Sequence, residues 1–520
     1  MDQRRLLVAT AISLLLLFAY QELVLSRYQR RQAAAPGPAA SKAVPSPKPT
    51  PQPTPQLAGD LAADPTTGRF VNVETDVLRA AITTIGARVV HLQLKGYRRS
   101  VSDDSPLDLV EADPVLPLTL QLGAGTSDAR LVYRPSLTDV VVRGGDVAEV
   151  ALTAESPAGM QIEKRYRFTG NGYLFKFAAT LSGSSHPPPS LGLIVTPLPP
   201  DSPTATASAI ALVGDRLVEK ALSKTAPAGE TPFEASAWAG FATQYFLAVA
   251  MPVSGAMSAV LAGAGTLPIV RMDAEVVGRR AKFAMYAGPK DPEVLARAGH
   301  DLGRALNFGK FWFVAIPLLH ALRALHRVTG NYGVAIIVLT ALVKAATAPL
   351  TRVTFRNMRE MQKIQPQMTK LRERFKDDQV ALQKEVMELY RRHHVNPFSG
   401  CLPMVLQLPI FIGLYTTLSL AIELRHAPFA LWINDLSAPD RLVVAGVGVP
   451  VLTALMGASM FLQQWLTPAQ GDPTQQRMMM FMPLVFTFMF LKFPAGLVLY
   501  WLVNNLLTIG QQYLMLRSMK

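Results

Sequence analysis

Six long apolar segments constrain the fold of this chain more than any other feature of its sequence. Apolar runs of about 20 residues match the hydrocarbon core of a bilayer, where every backbone polar group must be hydrogen-bonded within the protein. The pattern predicts a multi-domain membrane protein with an α-helical bundle of six transmembrane helices, namely an N-terminal anchor and a five-helix core. The predicted crossings are Leu6–Leu25, Tyr332–Leu350, Leu402–Ile422, Leu442–Leu466, Met478–Phe493 and Ala495–Leu514.

The composition supports this interpretation, because 50% of the 520 residues are hydrophobic and only 17% are charged. A soluble protein usually carries about 25% charged residues. The net charge is nevertheless +14, so basic residues must be concentrated in a few segments, which argues against an ordinary soluble enzyme or a disordered chain. The single cysteine, Cys401, excludes an internal disulfide framework and a cysteine-clustered zinc site.

The N-terminal segment, residues 1–26, is predicted to be a retained transmembrane anchor. A cleavable signal peptide is the alternative, since Ala33–Ala35 resembles a cleavage site. Three arginines separate that site from the apolar run, and the spacing is long for a cleavage region. Residues 27–67 form a predicted linker, because Pro36–Pro55 contains eight prolines and favours an extended, semi-rigid chain.

Residues 68–306 have the pattern of a β-rich domain without long helices. Short alternating runs include Ala148–Leu152, Gln161–Phe168 and Tyr173–Leu181, and clusters of glycine and proline separate them. This pattern is typical of a β-sandwich, here predicted to lie outside the membrane. Residues 307–329 then combine aromatic and cationic side chains, which predicts an amphipathic helix at the membrane interface. A helix packed on the sandwich is the alternative.

The distribution of charge predicts the topology. Thr351–Asn396 contains eleven Lys and Arg against six Asp and Glu, so its net charge is 11 − 6 = +5. The loop Glu423–Arg441 carries two Arg against three acidic residues, so its net charge is 2 − 3 = −1. The positive-inside rule places the basic segment in the cytoplasm. Both termini are then cytoplasmic and the β-domain is extracytoplasmic.

The basic segment, residues 351–396, is predicted to be a cytoplasmic helical hairpin. Apolar residues recur at helical spacing in Arg352–Lys376 and again in Gln379–His393, and Asp377–Asp378 should separate the two helices. Pro366 is expected to kink the first helix. The charge has two interpretations, either a solvated loop that fixes topology or a surface that binds anionic lipid, ribosomal RNA or an acidic client.

The motifs of common catalytic and metal sites are absent from the sequence. It contains no HExxH, CxxC or GxSxG motif, and Gly303 to Lys310 lacks the spacing of a phosphate-binding loop. We therefore predict no catalytic residue, no metal site and no cofactor, and no specific DNA binding is expected.

Lys344 is the one lysine predicted near the middle of the bilayer. It lies about 16 Å beyond Gly333 along a helix. A charge at that depth costs about 3 kcal/mol unless it faces water. The lysine stem reaches only about 6 Å, so snorkelling to the surface would be incomplete. The other predicted helices contain no acidic residue in their cores to pair with it. We predict that Lys344 faces a water-filled cavity.

Other polar residues of the predicted helices are expected to line the same cavity. Thr340 lies one turn before Lys344, and Gln407 lies in the third helix. The last helix contributes Asn504, Asn505, Thr508, Gln511 and Gln512. Hydrogen bonds between helices are the alternative use of such residues. Their number, together with an unpaired cation, favours a shared hydrophilic groove open to the cytoplasm.

Four sequence stretches resemble the bacterial YidC insertase family. They are Val395–Cys401 (VNPFSGC), Gln407–Phe411 (QLPIF), Ala427–Ile433 (APFALWI) and Phe493–Tyr500 (FPAGLVLY). The order of segments along nearly the whole chain is similar as well, and the large β-domain resembles that of Gram-negative members. The corresponding boundaries are 1–26, 27–67, 68–306, 307–329, 330–516 and a short cytoplasmic tail at 517–520.

The resemblance implies a periplasmic β-supersandwich domain and a cytosol-facing groove with one positive residue. That residue is typically arginine in the family and is Lys344 here, so the charge is kept but the two-pronged guanidinium is not. The resemblance also implies a hydrophobic slide on the third and last helices, for which Leu408, Phe411, Tyr500 and Trp501 are candidates.

The function implied is the insertion and folding of integral membrane proteins in the bacterial inner membrane, with or without the Sec translocon. Nascent membrane proteins and membrane lipids are the implied partners, with the Sec translocon and the ribosome as further candidates. A small-solute channel or transporter with a sugar-binding β-domain is the alternative function. An enzyme that acts on carbohydrates through His91 or His186 is a third.

Overall fold

The computed structural model describes residues 61–518, except 112, 114, 124–125, 186, 202–206, 223–226, 228, 234–235, 254–256, 376–377, 394–401 and 467–472. The predicted anchor at 1–26, most of the linker at 27–67, His186 and the Val395–Cys401 motif lie outside these residues. Two parts of the fold position the candidate site, a domain of β-strands and a group of helices.

The β-domain contains strands β1–β20 in three antiparallel or mixed sheets. In chain order they are Phe70–Glu74, Leu78–Thr83, Arg88–Arg98, Pro106–Asp108, Leu120–Gly123, Thr126–Ser127, Arg134–Pro135, Asp139–Val141, Val147–Glu155, Gln161–Thr169, Leu174–Ser182, Ser190–Val195, Ser208–Val213, Arg216–Ala221, Thr231–Phe233, Ser236–Ala242, Phe246–Pro252, Met257–Ala264, Leu267–Glu275 and Arg280–Pro289.

The largest sheet has nine strands in the order β14-β13-β16-β17-β20-β11-β10-β9-β7. Its strands bury alternate side chains, as β10 does with Ile162, Lys164, Tyr166 and Phe168. A five-stranded sheet, β4-β3-β2-β1-β8, and a six-stranded sheet, β15-β18-β19-β12-β5-β6, accompany it. Their buried apolar faces share one main core, which is the layered arrangement expected of a sandwich.

The interior of the β-domain holds a buried ion pair. Lys164 and Asp128 have side chains that are 0% exposed, and their Nζ and Oδ2 atoms lie 2.6 Å apart. Lys164 also donates to the carbonyls of Gly86 at 2.7 Å and Leu118 at 2.8 Å. Burial lowers the pKa of Lys164, and the Asp128 carboxylate opposes that shift.

The helices follow the β-domain. Helices α1–α8 run Pro292–Ala298, Trp312–Thr329, Tyr332–Arg374, Gln379–Arg392, Leu402–Leu420, Val451–Leu466, Pro473–Phe490 and Ala495–Ser518. Short 3₁₀ turns lie at Leu302–Ala305, Gly309–Phe311 and Ile422–Leu424, and a two-stranded hairpin, β21 (Leu442–Val444) with β22 (Val447–Val449), precedes α6.

Helix α3 joins two segments that were predicted separately. The predicted crossing at Tyr332–Leu350 and the first helix of the predicted cytoplasmic hairpin form one helix of 43 residues, with Pro349 and Pro366 inside it. The predicted break at Asp377–Asp378 is confirmed for Asp378, the one of the two residues that the structure describes. Asp378 caps α4, because its Oδ1 accepts hydrogen bonds from the backbone N–H groups of Val380 at 3.1 Å and Ala381 at 2.9 Å.

The predicted crossing at Leu442–Leu466 is wrong for its first eight residues, which form the β21–β22 hairpin. Only Val451–Leu466 is helical, and its 16 residues extend about 24 Å. Ala445 and Gly446 have φ values of 50° and 81°, so the chain turns back there instead of continuing as a helix.

One helical stretch among the described residues, Tyr332–Pro349, is long and apolar enough to span a membrane. Gln407–Leu420, Val451–Leu466 and Met480–Phe490 are shorter apolar helical stretches. The count of six crossings therefore stays a prediction.

Candidate functional site

Both helices that carry most of the predicted groove residues begin beside one segment, the junction loop (residues 421–441). The Asn331 side chain, which caps α3, donates to the Phe429 carbonyl at 2.9 Å. At the start of α8, the Gly496 N–H donates to the Leu436 carbonyl at 2.8 Å. Because both N-terminal ends contact the same loop, α3 and α8 run away from it in the same direction.

Helix α8 approaches helix α3 closely at Gly496, near its first residue. A Cβ atom added at Gly496 would lie 3.4 Å from the Ile336 Cδ1 atom, so α8 begins at the level of Ile336. Lys344 on α3 and Asn504 on α8 each lie eight residues further on, about 12 Å along the respective helix. The two predicted groove residues therefore lie at the same depth.

Lys344 is buried in a mainly apolar helix face. Ile336, Thr340 and Lys344 follow one another at i+4 spacing, and Lys344 is only 8% exposed. Thr340 donates to the carbonyl of Ile336 in its own helix at 2.6 Å. Within the described parts of the chain, the Lys344 ammonium forms no ion pair or hydrogen bond with a carboxylate or carbonyl. Lys344 is thus a buried lysine without a charge partner among the described residues, and the water-filled cavity beside it stays a prediction.

The polar residues of α8 divide into two sets. Asn505 and Gln512 face α6, because Asn505 Nδ2 donates to Ser459 Oγ at 3.0 Å and Gln512 Nε2 donates to the Leu466 carbonyl at 3.1 Å. These two residues make the hydrogen bonds between helices that sequence reasoning held as the alternative to a groove.

The second polar set of α8 is half-buried. Asn504, Thr508 and Gln511 recur at i+4 and i+3 spacing and therefore share a face. The buried Oε1 atoms of Gln511 and of Gln512, in the other set, both have no hydrogen-bond partner among the described residues. The half-burial of Asn504, Thr508 and Gln511 distinguishes this face from that of the buried Asn505 and Gln512, and a water-filled cavity beside it stays a prediction.

Gln407 and the four predicted slide residues lie where α5 meets α8. The Gln407 side chain is within hydrogen-bonding reach of the Tyr500 hydroxyl, and Tyr500 is only 2% exposed. The rings of Phe411 and Trp501 meet edge to face, with centroids 4.7 Å apart. Leu408 is 51% exposed. The structure thus pairs Gln407 with Tyr500, which is in the core, and Phe411 with Trp501, whereas Leu408 lies at the surface.

The β-domain is joined to the helices through buried charges that sequence reasoning did not identify. Arg323 of α2 is 11% exposed, and its guanidinium lies 2.6 Å from Asp291, 3.1 Å from Glu293 and 2.5 Å from Glu423. Asp291 and Glu293 belong to the start of α1, whereas Glu423 follows α5. Three separate segments therefore share one arginine.

A second arginine fastens the junction loop to the β-domain. Arg425 donates to the carbonyls of Arg98 at 2.9 Å and Arg99 at 3.2 Å, and it lies over the Phe246 ring. Gln244 of the β-domain donates to the Ser419 carbonyl of α5 at 2.8 Å. The signal that could have found this junction is Glu423, an acidic residue just after the apolar helix α5, which needs a basic partner such as Arg323.

Helix α2, the predicted interfacial helix, packs closely against α5. Thr417 of α5 donates to the Ala315 carbonyl of α2 at 2.8 Å, and Gly413 lets Val314 approach α5 closely. Trp312 and Phe313, at the start of α2, are 59% and 57% exposed. The buried face of α2 belongs to a core that contains residues of both the helices and the nine-stranded sheet.

The described residues contain no group of three or more His, Cys, Asp or Glu side chains able to hold a metal ion. His91, the described member of the pair suggested for acid–base catalysis, lies in β3 with Nδ1 2.7 Å from Asp108 Oδ2. Its side chain is 54% exposed, as expected of a surface histidine.

Comparison with known families shows what class of protein combines these parts. The model of the 60Kd inner membrane protein family matches residues 324–520, and that of the YidC periplasmic domain matches residues 70–321. The chain is therefore an inner membrane protein whose β-domain is periplasmic.

The individual relatives are named membrane protein insertase YidC. One from Geobacter sulfurreducens is 39% identical, over 99% of this chain and 98% of its own length. One from Oleidesulfovibrio alaskensis is 39% identical, over 87% of each chain. A solved structure of an active YidC insertase is 19% identical, covers 86% of this chain and 94% of its own, and has a TM-score of 0.38. On the strength of the sequence matches, the chain belongs to the YidC family of membrane protein insertases.

Proposed function

We propose that this protein inserts membrane proteins by receiving their polar tails in a groove beside Lys344. The observation that carries the proposal is that Lys344, only 8% exposed and without an ion pair among the described residues, lies at the depth of the half-buried Asn504, Thr508 and Gln511. An unpaired charge in a membrane helix is costly unless water reaches it. A hydrated groove lowers the barrier that a polar segment meets when it crosses lipid.

The proposed action has a physical driving force without covalent chemistry. The apolar part of a client gains about 0.3–0.6 kcal/mol for each Leu, Ile, Phe or Val that reaches the bilayer centre. The polar tail stays hydrated near Lys344 meanwhile, and acidic tails are favoured by its charge. Leu408 and the neighbouring Phe411 and Trp501 rings are the proposed surface along which the apolar part moves into lipid.

The proposed topology has six crossings, with the anchor at residues 1–26 and both termini in the cytoplasm. The contacts of the junction loop support it, because α3, α6 and α8 begin beside this loop and α5 ends there. Arg441 also donates to the Leu491 carbonyl, just after α7, at 3.0 Å. Five helices that alternate in direction suit repeated crossings. The domain boundaries 68–306, 307–329 and 330–516 are proposed with it.

The partners proposed are nascent membrane proteins at the groove, with the Sec translocon and the ribosome as further partners. The basic cytoplasmic hairpin predicted at residues 351–396 is the proposed meeting place. Glu388 and Arg392 pair at 2.7 Å there, but basic residues remain in excess over the hairpin.

The test is client insertion into vesicles that contain the purified protein. We expect Lys344→Ala to reduce the insertion of a client with an acidic tail several-fold, because the tail then loses its attractive charge. Lys344→Arg should retain insertion, and a client with a neutral tail should respond less. Lys363→Ala, which removes an exposed hairpin lysine, is the matched control. Normal insertion of the acidic client by Lys344→Ala would refute the role of the groove charge.

A further inference from the structure

The β21–β22 hairpin is an apolar projection that no other described part of the chain covers. Its valines Val443, Val444, Val447 and Val449 are 70%, 54%, 65% and 39% exposed. Residues Leu442–Pro450 (LVVAGVGVP) contain no charged and no polar side chain. An isolated two-stranded hairpin is marginally stable in water, and an exposed apolar edge favours aggregation.

The base of the hairpin is fixed at the ends of two membrane helices. Asp440 accepts a hydrogen bond from the backbone N–H of Thr453 in the first turn of α6, at 3.2 Å. The other oxygen of Asp440 accepts from the Trp432 indole at 2.7 Å. Arg441 reaches the Leu491 carbonyl, just beyond the end of α7. The hairpin therefore starts at the level where α6 begins and α7 ends.

This position determines what can cover the valines. The ends of α6 and α7 that contact the junction loop lie on the same side as the periplasmic domain, since Arg425 and Gln244 join that domain to the loop and to α5. An apolar surface at that level meets the outer leaflet of the bilayer. The unpaired backbone groups along the strand edges would be costly in hydrocarbon, so the depth that fits is the boundary between headgroups and acyl chains.

We propose that the β21–β22 hairpin is a lipid-binding wedge that inserts into the outer leaflet next to α6. The inference rests on the proposed membrane placement of α6 and α7. Its partner is the lipid of the surrounding bilayer and not a client protein or a second copy of the chain. The wedge extends the apolar surface of the short helix α6 and holds its periplasmic end at a fixed depth.

The test measures lipid contact at single labelled cysteines. The sole native cysteine, Cys401, is replaced by serine, and Val444→Cys carries an environment-sensitive fluorophore in vesicles of phosphatidylethanolamine and phosphatidylglycerol. Leu455→Cys on α6, at a position 50% exposed, reports membrane placement of the helix. Val141→Cys in the periplasmic domain, at a valine 64% exposed, is the aqueous control.

We expect lipids that carry a shallow quencher to quench the label at Val444 several-fold more than the label at Val141. For the Val444 label, a shallow quencher should also be more effective than a quencher placed deep in the acyl chains. Adding Val447→Asp, at the residue paired with Val444, should reduce that quenching several-fold without changing the signal from Leu455. Quenching at Leu455 but not at Val444 would overturn the wedge and leave the proposed membrane placement intact. Quenching at neither position would overturn both. A Val444 label shielded from water but not quenched by lipid would show a protein occupant and also overturn the wedge.

Discussion

Two of the buried lysines among the described residues, Lys164 in the periplasmic domain and Lys344 in α3, have opposite surroundings. Lys164 is 0% exposed and touches a carboxylate, two carbonyls and the faces of the Tyr133 and Phe177 rings. Lys344 is 8% exposed and has no partner among the described residues. The same side chain is thus fully satisfied in one region and unsatisfied in the other.

We propose that the difference separates a charge that stabilises the fold, Lys164, from one that acts in insertion, Lys344. Burying an ion is tolerated for stability when its charge is paired and its donors are used, as in the β-domain. An unpaired ion inside a bundle of helices contributes nothing to stability that an apolar residue would not contribute better. We therefore expect substitution of Lys164 to affect folding and substitution of Lys344 to affect insertion.

The largest expected effect follows from removing Lys164. Lys164→Met leaves Asp128 buried without its counter-ion, which should lower the stability of the periplasmic domain by about 3–5 kcal/mol. Lys344→Met should leave stability unchanged or raise it. Hydrogen–deuterium exchange of the full-length protein measures both, because it reports on the β-domain and the helices separately.

Two controls test whether the effect belongs to the ion pair. Lys282→Met removes an exposed lysine from β20 and should change exchange very little. Adding Asp128→Asn to Lys164→Met removes the orphaned charge and should recover part of the lost protection, since the amide oxygen still accepts from the Leu120 N–H. A Lys344→Met variant that loses as much protection as Lys164→Met would remove the distinction between the two lysines.

A medium effect is expected at Arg323, where the periplasmic domain meets the helices. Arg323→Met leaves three carboxylates close together without a cation, and losing hydrogen bonds to charged groups costs about 1.5–3 kcal/mol each. We expect faster exchange and faster proteolysis around α1 and residues 421–425, while the β-sheets keep their protection.

The controls at this junction vary the geometry and the burial of the charge. Arg323→Lys keeps the charge but cannot contact Asp291 and Glu423 with a planar fork, so an intermediate effect is expected. Arg304 pairs with Asp215 at 3.0 Å but is 43% exposed, and Arg304→Met should change stability by less than about 1 kcal/mol. Equal effects of Arg304→Met and Arg323→Met would argue against a special role for the buried arginine.

The local elements were largely predictable from the sequence, because side-chain periodicity reports them directly. The runs Gln161–Phe168 and Tyr173–Leu181 correspond to the strands Gln161–Thr169 and Leu174–Ser182. The same alternation indicated a buried charge, since Lys164 occupies a core-facing position of the strand and a buried lysine needs a partner. Its partner, Asp128, lies too far along the chain for periodicity to identify.

The errors have physical reasons as well. An apolar run rich in valine is compatible with a helix or a strand, so Leu442–Val449 was assigned to a crossing. Gly446 and Gly448 were the available evidence for a turn. Pro366 lies inside α3 at an exposed position, where water can hydrogen-bond the carbonyl that the proline leaves free, and the predicted kink there stays a prediction.

The candidate site was predictable only at the level of single helices. The spacing of Lys344, Thr340 and the polar residues of α8 identified the helix faces that carry polar groups. It did not show which polar residues bond to a neighbouring helix, because that depends on the pairing of α8 with α6. For this reason the sequence did not show that Asn505 bonds to α6 while the adjacent Asn504 lies on a different face of α8.

The smallest expected effect distinguishes these two asparagines. Asn505→Leu removes the hydrogen bond to Ser459 between α8 and α6, which should cost about 0.6 kcal/mol, the average for such bonds in membrane proteins. Insertion of a client with an acidic tail should be nearly normal. Asn504→Leu should leave the stability of the helices unchanged and reduce insertion, because it replaces a polar group at the depth of Lys344.

Ser459→Ala should resemble Asn505→Leu, and combining the two should add little, since both remove the same bond. Unfolding in detergent and insertion into vesicles measure the two properties. A pattern in which Asn505→Leu impairs insertion more than Asn504→Leu would place the groove on the opposite face of α8.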